Sequence, residues 1–141
     1  GFRLADHALL TLMHDVLEIL PYPDLSRVPG AKPWLRGISQ IRGRLLSIVD
    51  ASLFLGGAPT PVRRGTRILI VQHEELLAGI VVDEVFGMKH QLGQVTSFVP
   101  EGEAHWLAGA VRHGVELEGE HWGIFDIAAL TSNPEFFKAA A

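Results

Sequence analysis

The chain has 141 residues, enough for one domain that buries roughly two-thirds of its unfolded surface. Hydrophobic residues make up 48% and charged residues 20%, which is globular, and no apolar run approaches the roughly 20 residues of a membrane span. The absence of cysteine excludes disulfides, thiolate zinc sites and cysteine nucleophiles, and a net charge of -4 provides no field for gripping nucleic acid or an anionic membrane.

Taken in order, Phe2 to Leu4 and Ala8 to Met13 are short apolar strands around Asp6-His7, which predicts a hairpin. Val16-Leu17-Glu18-Ile19-Leu20 is an apolar strand with a carboxylate in its middle. Alternation puts Glu18 opposite Leu17 and Ile19, so Glu18 is expected to face water. Pro21, Pro23, Pro29 and Pro33 then fix the backbone of an ordered, non-helical connection.

The stretch from Trp34 to Gly56 reads as strand, tight turn at Arg42-Gly43-Arg44, strand, and a helical turn capped by Asp50 and stopped by Gly56-Gly57. Residues 57–65 are proline-bearing, basic and turn-rich, the pattern of a mobile loop. Thr66 to Val71 and Leu76 to Asp83 form a second hairpin, closed by Val85-Phe86-Gly87. His90 to Val95, Trp106 to Val111 and Trp122 to Phe125 supply the last strands. Pro134 sits at a helix N1 position and opens a terminal helix from Glu135 to Ala141 carrying Phe136 and Phe137. Many short strands with glycine at the turns point to small antiparallel barrels rather than an open parallel sheet.

A fainter copy of the first hairpin follows. Gly109 to Gly114 can be laid on Gly37 to Gly43 with one residue of slippage, and Ile124 to Leu130 on Ile48 to Phe54. Either the chain is duplicated, or strand-Asp-helix is common punctuation.

Little here carries a reaction. The seven histidines have no ligand spacing, and nucleophile-elbow, P-loop and dinucleotide-binding motifs are absent. Asp50 and Asp126 are explained by capping, and Trp34, Trp106 and Trp122 by core or interface packing. No catalytic residue, metal or cofactor is expected. Arg42 either reaches solvent or folds back on a carboxylate, for which Glu18 is the strongest candidate.

At these residues the chain resembles the CheW-like coupling domain of bacterial chemosensory systems. The resemblance is carried by Val16-Leu17-Glu18-Ile19, Arg27-Val28-Pro29, Trp34-Leu35-Arg36-Gly37, Arg42-Gly43, Ile48-Val49-Asp50 and the Gly79 to Val85 strand followed by Gly87. It departs at Gln40, Ser47 and Ala51, where asparagine, proline and leucine are usual. The runs Val28 to Trp34, Arg42 to Leu46, Val82 to Met88 and Pro134 to Ala139 are more similar to the type IV pilus branch of that family.

The resemblance implies a mainly β fold, two intertwined five-stranded SH3-like/OB-like barrels with short helices and a C-terminal helix, forming one domain over residues 1–141. It implies a non-catalytic adaptor that couples the cytoplasmic tip of a methyl-accepting chemoreceptor to the regulatory domain of a CheA-type histidine kinase, in an array serving pilus twitching motility. Glu18 and Arg42 are implied to pair near the receptor side. The implied contact residues are Val16, Glu18, Ile19, Ile41, Arg42, Gly43, Val81, Asp83 and Val85. With no signal-peptide pattern and a first residue other than methionine, the expectation is a cytoplasmic protein trimmed at its N-terminus, recruited to membrane-associated receptor arrays. Nucleic-acid binding by a small barrel, and the regulatory part of a larger kinase or response-regulator fusion, are the alternatives.

Overall fold

The computed structural model describes residues 1–74, 76–87, 95–97, 100, 102–117 and 119–138. Its strands are β1 (Phe2–Leu4), β2 (His7–Leu10), β3 (Glu18–Pro21), β4 (Leu35–Ile41), β5 (Arg44–Val49), β6 (Arg67–His73), β7 (Leu76–Val82), β8 (Glu84–Val85), β9 (Thr96–Ser97), β10 (Val111–Leu117) and β11 (Glu120–Phe125). Three short helices, α1 (Ala51–Leu55), α2 (Ile127–Thr131) and α3 (Pro134–Lys138), punctuate them.

The strands form two curled sheets. One runs β3-β6-β7-β5-β4 and the other β8-β1-β2-β11-β10-β9. The chain's first two strands therefore belong to the sheet completed by its last strands, which is the intertwining expected. Most pairs are antiparallel, as the turn residues predict, but β5 with β7 and β2 with β11 are parallel. Those two pairs join strands distant in sequence, where no hairpin constrains direction.

Two-residue turns at Ala5-Asp6 and Arg42-Gly43 explain two hairpins. All four residues are left-handed, with φ of 50 and 66 at Ala5 and Asp6 and 52 and 77 at Arg42 and Gly43. That geometry matches the strand twist. The first turn thus falls one residue earlier than the sequence suggests, and His7 enters β2.

The first sheet is closed into a barrel across its edges. Ser26, in the proline-rich connection, bridges Ile38 of β4 through two backbone hydrogen bonds of 2.9 and 2.8 Å. Between the sheets lies the main core, with Phe2, Leu4 and Phe125 from one and Val49, Val71 and Ile80 from the other. A second cluster, Leu46, Ile48, Ile68, Ile70 and Val81, fills the first barrel. Phe136 of α3 is 0% exposed and meets Phe54 edge-to-face at 5.3 Å, so the C-terminal helix is the brace expected.

The hairpin-and-cap unit does repeat in the structure, and its register is simpler than the sequence comparison suggests. Bulges fall between Leu35 and Gly37 in one half and between Val111 and His113 in the other. The caps are Asp50 and Asp126, with φ, ψ of -84, 99 and -88, 98. Each second-half position lies 76 after its counterpart (35 to 111, 37 to 113, 50 to 126), with no slippage. Aligning the bracketing glycines misplaced the first strand, because Gly37 corresponds to His113 at the bulge rather than to Gly109.

Three further expectations are corrected. Residues Gly102–Gly109 form a 3-10 helix, and only at Val111 does the strand begin. The segment Gly-Glu-Ala-His-Trp-Leu-Ala-Gly has no β-branched residue to favour a strand. Residues 57–65 are pinned rather than mobile: Thr60 is 3% exposed and bonds Asp50, and the Ser52 hydroxyl donates to the Ala58 carbonyl at 2.6 Å. At the start of β3, Leu17 just before the strand and Ile19 within it are exposed while Glu18 between them is half-buried, the reverse of the expected facing. Most of the piece expected over His90 to Val95, residue 75 in the second hairpin turn, and residues 139–141 of the terminal helix lie outside the described residues.

Candidate functional site: an apolar groove between the barrels

An open cavity of about 560 Å³ lies where the two sheets meet. Its walls are Leu12, Val16, Leu17 and Ile19 on the connection into β3 and on β3 itself, facing Val85 of β8. Phe2, Leu10, Ile124 and Leu69 line it from β1, β2, β11 and β6.

Several large apolar side chains here are left in water. Leu12 is 56%, Leu17 55% and Ile19 47% exposed. Exposed apolar residues are ordinary one at a time; three along one wall of one concavity mark a contact surface. The sequence suggested Val16 and Ile19 but not Leu12, and the unbroken apolar run Val16-Leu17 ahead of Glu18 was the available signal.

Glu18 also lines the groove and is held by Arg42. Arg42 Nη1 donates to Glu18 Oε2 at 2.6 Å and Nη2 lies 2.6 Å from Oε1, a two-point pairing. β3 and β4 are opposite edges of their sheet, so this pair spans the barrel seam from the Arg42-Gly43 turn. The Arg42 side chain is 71% exposed, and such a pair contributes under about 1 kcal/mol to stability.

Of the residues suggested by sequence, Val16, Glu18, Ile19 and Val85 meet in the groove, and Arg42 reaches it through Glu18. Ile41 is half-buried against the barrel core and Gly43 is exposed in the turn. Val81 and Asp83 are not brought to the surface. Val81 is 0% exposed inside the first barrel. Asp83 is 8% exposed, and its Oδ2 accepts from the Ala5 amide at 2.7 Å, fastening the β1–β2 turn to the end of β7.

Apart from the groove, the first half holds a polar unit that the sequence showed only as a cap. Asp50 is 0% exposed and does accept the capping bond from the Leu53 amide at 3.2 Å. It also receives Arg36 Nη2 at 2.6 Å and the Thr60 amide at 2.8 Å, and Arg36 donates as well to the Thr60 carbonyl. Desolvation lowers the pKa of Arg36, but the hydrogen bond and charge of Asp50, with Tyr22, outweigh it and raise that pKa above its ordinary value. Arg36 sits on the β4 bulge, and a bulge re-aims its extra residue. This is why the partnership could not be read from strand alternation.

Two barrels, the second of which takes in the chain's first two strands, a repeated hairpin-and-cap, and a groove at their junction define the class. A family model described as CheW-like domain matches residues 1–135, and the chain belongs to that family. The protein PilI of Pseudomonas aeruginosa is 36% identical over 141 residues, 99% of this chain and 78% of PilI. Chemotaxis protein CheW of Helicobacter pylori is 26% identical over 85 residues, 60% of this chain and 52% of that protein. FrzA of Myxococcus xanthus is 28% identical over 88 residues, 62% of this chain and 55% of FrzA. The match thus spans about half the length of these last two relatives. The crystal structure of the scaffolding protein TtCheW from Thermoanaerobacter tengcongensis superposes with a TM-score of 0.76 at 19% identity, covering 92% of this chain and 88% of that one, and shows the same fold. No helix among the described residues is long and apolar enough to cross a membrane.

Proposed function

We propose that the protein is a non-catalytic adaptor of a chemosensory array. It binds the cytoplasmic tip of a methyl-accepting chemoreceptor in the groove, binds the regulatory domain of a CheA-type kinase through other faces, and serves type IV pilus motility. Its place is the cytoplasm, at membrane-associated receptor arrays. Membership of the CheW-like family and the likeness to PilI support the adaptor role. The observation that carries the groove assignment is the exposed wall of Leu12, Leu17 and Ile19 beside the Glu18–Arg42 pair. An amphipathic helix laid there buries its apolar stripe and meets a fixed charge at the rim.

Magnitudes support a binding role for Arg42. Its pair with Glu18 is exposed and returns under about 1 kcal/mol of stability, so the two-point pairing at the groove rim adds little to folding. Arg42→Ala should therefore change unfolding free energy by less than about 1 kcal/mol while weakening receptor or kinase coupling. Normal coupling by a folded Arg42→Ala variant would count against this role.

The test of the groove is Ile19→Asp, titrated by calorimetry against a purified receptor cytoplasmic fragment and against the kinase regulatory domain. Ile19 is already half in water, so stability should stay within about 0.5 kcal/mol. Receptor affinity should fall about tenfold or more, the effect of forcing a charge into an apolar contact. Unchanged receptor binding by the folded variant would sink the groove assignment.

A further inference from the structure

The two halves carry an arginine and an aspartate in the same register, and among the described residues only the first two are joined by an ion pair and covered. In the first half a segment of chain lies over Arg36 and Asp50. Thr60 gives its amide to Asp50 Oδ2 at 2.8 Å and its hydroxyl to Oδ1 at 3.2 Å, while its carbonyl accepts from Arg36. Seventy-six positions on stand Arg112, at the β10 bulge, and Asp126, the α2 cap.

Their backbone setting repeats that of the first pair. The amide of Asp50 donates to the Trp34 carbonyl and that of Asp126 to the Ala110 carbonyl, each at 2.7 Å. Yet Arg112 and Asp126 are both exposed. Among the described residues the Arg112 side chain makes no hydrogen bond or ion pair, and the Asp126 side chain accepts only its capping bond, from Ala129 at 3.3 Å. The reason is visible in the register. The position matching Thr60 is Phe136, and α3 carries it into the core instead of back over Asp126.

We propose that Arg112 and Asp126 form a docking site for an extended segment of a protein partner, which presents a backbone amide to the Asp126 carboxylate and a carbonyl oxygen to the Arg112 guanidinium. The first half shows the geometry that satisfies such a pair, with Thr60 as occupant. The inference rests on the adaptor reading. Of the two partners in that reading, a receptor helix lying in the groove has its interior amides and carbonyls already engaged within the helix. The occupant is therefore a non-helical loop of the kinase regulatory domain.

The experiment is calorimetric titration of the full chain with the purified kinase regulatory domain, and separately with the receptor fragment, for wild type, Arg112→Glu, Asp126→Asn and Ile19→Asp. Asparagine keeps the α2 cap while removing the charge, so folding is preserved. Arg112→Glu and Asp126→Asn should each weaken kinase-domain binding about tenfold, the scale of a lost charge-assisted hydrogen bond, and leave receptor binding unchanged. Ile19→Asp should do the opposite. Wild-type binding of the kinase domain that neither Arg112→Glu nor Asp126→Asn alters would overturn the docking site and leave the adaptor standing. Loss of receptor binding, or of self-association in sedimentation, in place of kinase binding would overturn the occupant. Failure of the wild type to bind either partner would overturn the adaptor reading itself.

Discussion

Asp50→Ala is expected to lower the unfolding free energy by about 3–5 kcal/mol, the cost of removing one member of a buried ion pair. Asp50 is 0% exposed and Arg36 21% exposed, so the guanidinium loses its counter-charge where water reaches it poorly. The amides of Leu53 and Thr60 lose their acceptor in the same step, which frees both the first turn of α1 and residues 57–65. Against a typical domain stability of about 5–15 kcal/mol, the variant is left marginal.

The chain supplies its own control. Asp126→Ala removes a cap at the same position of the same supersecondary unit, but no buried charge, and should cost only about 1 kcal/mol. Urea unfolding of the two variants side by side reads the difference. Losses within about 1 kcal/mol of each other would mean that the Arg36–Asp50–Thr60 unit contributes no more than a cap. The raised pKa of Arg36 puts its titration above the ordinary arginine range. Stability from a raised group is complete below its unfolded pKa and lost only as pH rises through the folded one, so Arg36 adds no pH dependence from acid to mildly alkaline solution.

Phe136→Ala should cost about 3–5 kcal/mol through the cavity it opens. Its ring is 0% exposed and packs edge-to-face on Phe54, which packs in turn on Trp34 at 5.2 Å. A five-residue helix is not stable alone, so α3 depends on its packing, and Phe136 is its buried anchor among the described residues. The variant should therefore lose near-ultraviolet dichroism around the tryptophans as well as stability. A loss below about 1 kcal/mol would show that α3 is an ornament on the core and not its brace.

These two residues divide what sequence shows from what it hides. Pro134 followed by paired phenylalanines announces a terminal helix carrying Phe136 and Phe137, and the fold makes Phe136 the buried anchor. Asp50 announces a cap, and it is one. Its larger role depends on Arg36, whose direction is set by a bulge that exists only once β4 pairs with β5.

The Glu18–Arg42 pair was open to sequence reasoning because an acid on an apolar strand and an arginine in a tight turn each need explaining. Whether they met was not, since they lie on opposite edges of a sheet that had first to curl. The facing of β3 was misread for a related reason. With Val16, Leu17, Ile19 and Leu20 all apolar, period-two alternation has two possible phases, and the outer phase is chosen by which neighbour covers the strand.

Local chemistry therefore determined what neighbouring residues decide among themselves: the hairpins, the caps, the proline-fixed connection, the absence of cysteine chemistry and the repeated hairpin-and-cap. Tertiary structure decided what needs partners from distant parts of the chain. It set the gapless register of the repeat, the buried Arg36–Asp50–Thr60 unit, the anchoring of residues 57–65 and the apolar wall left uncovered between the barrels. Hydrogen-bond geometry and φ preferences act over a few residues and leave their mark in sequence, whereas burial is a property of the assembled surface and does not exist until the two sheets close on each other.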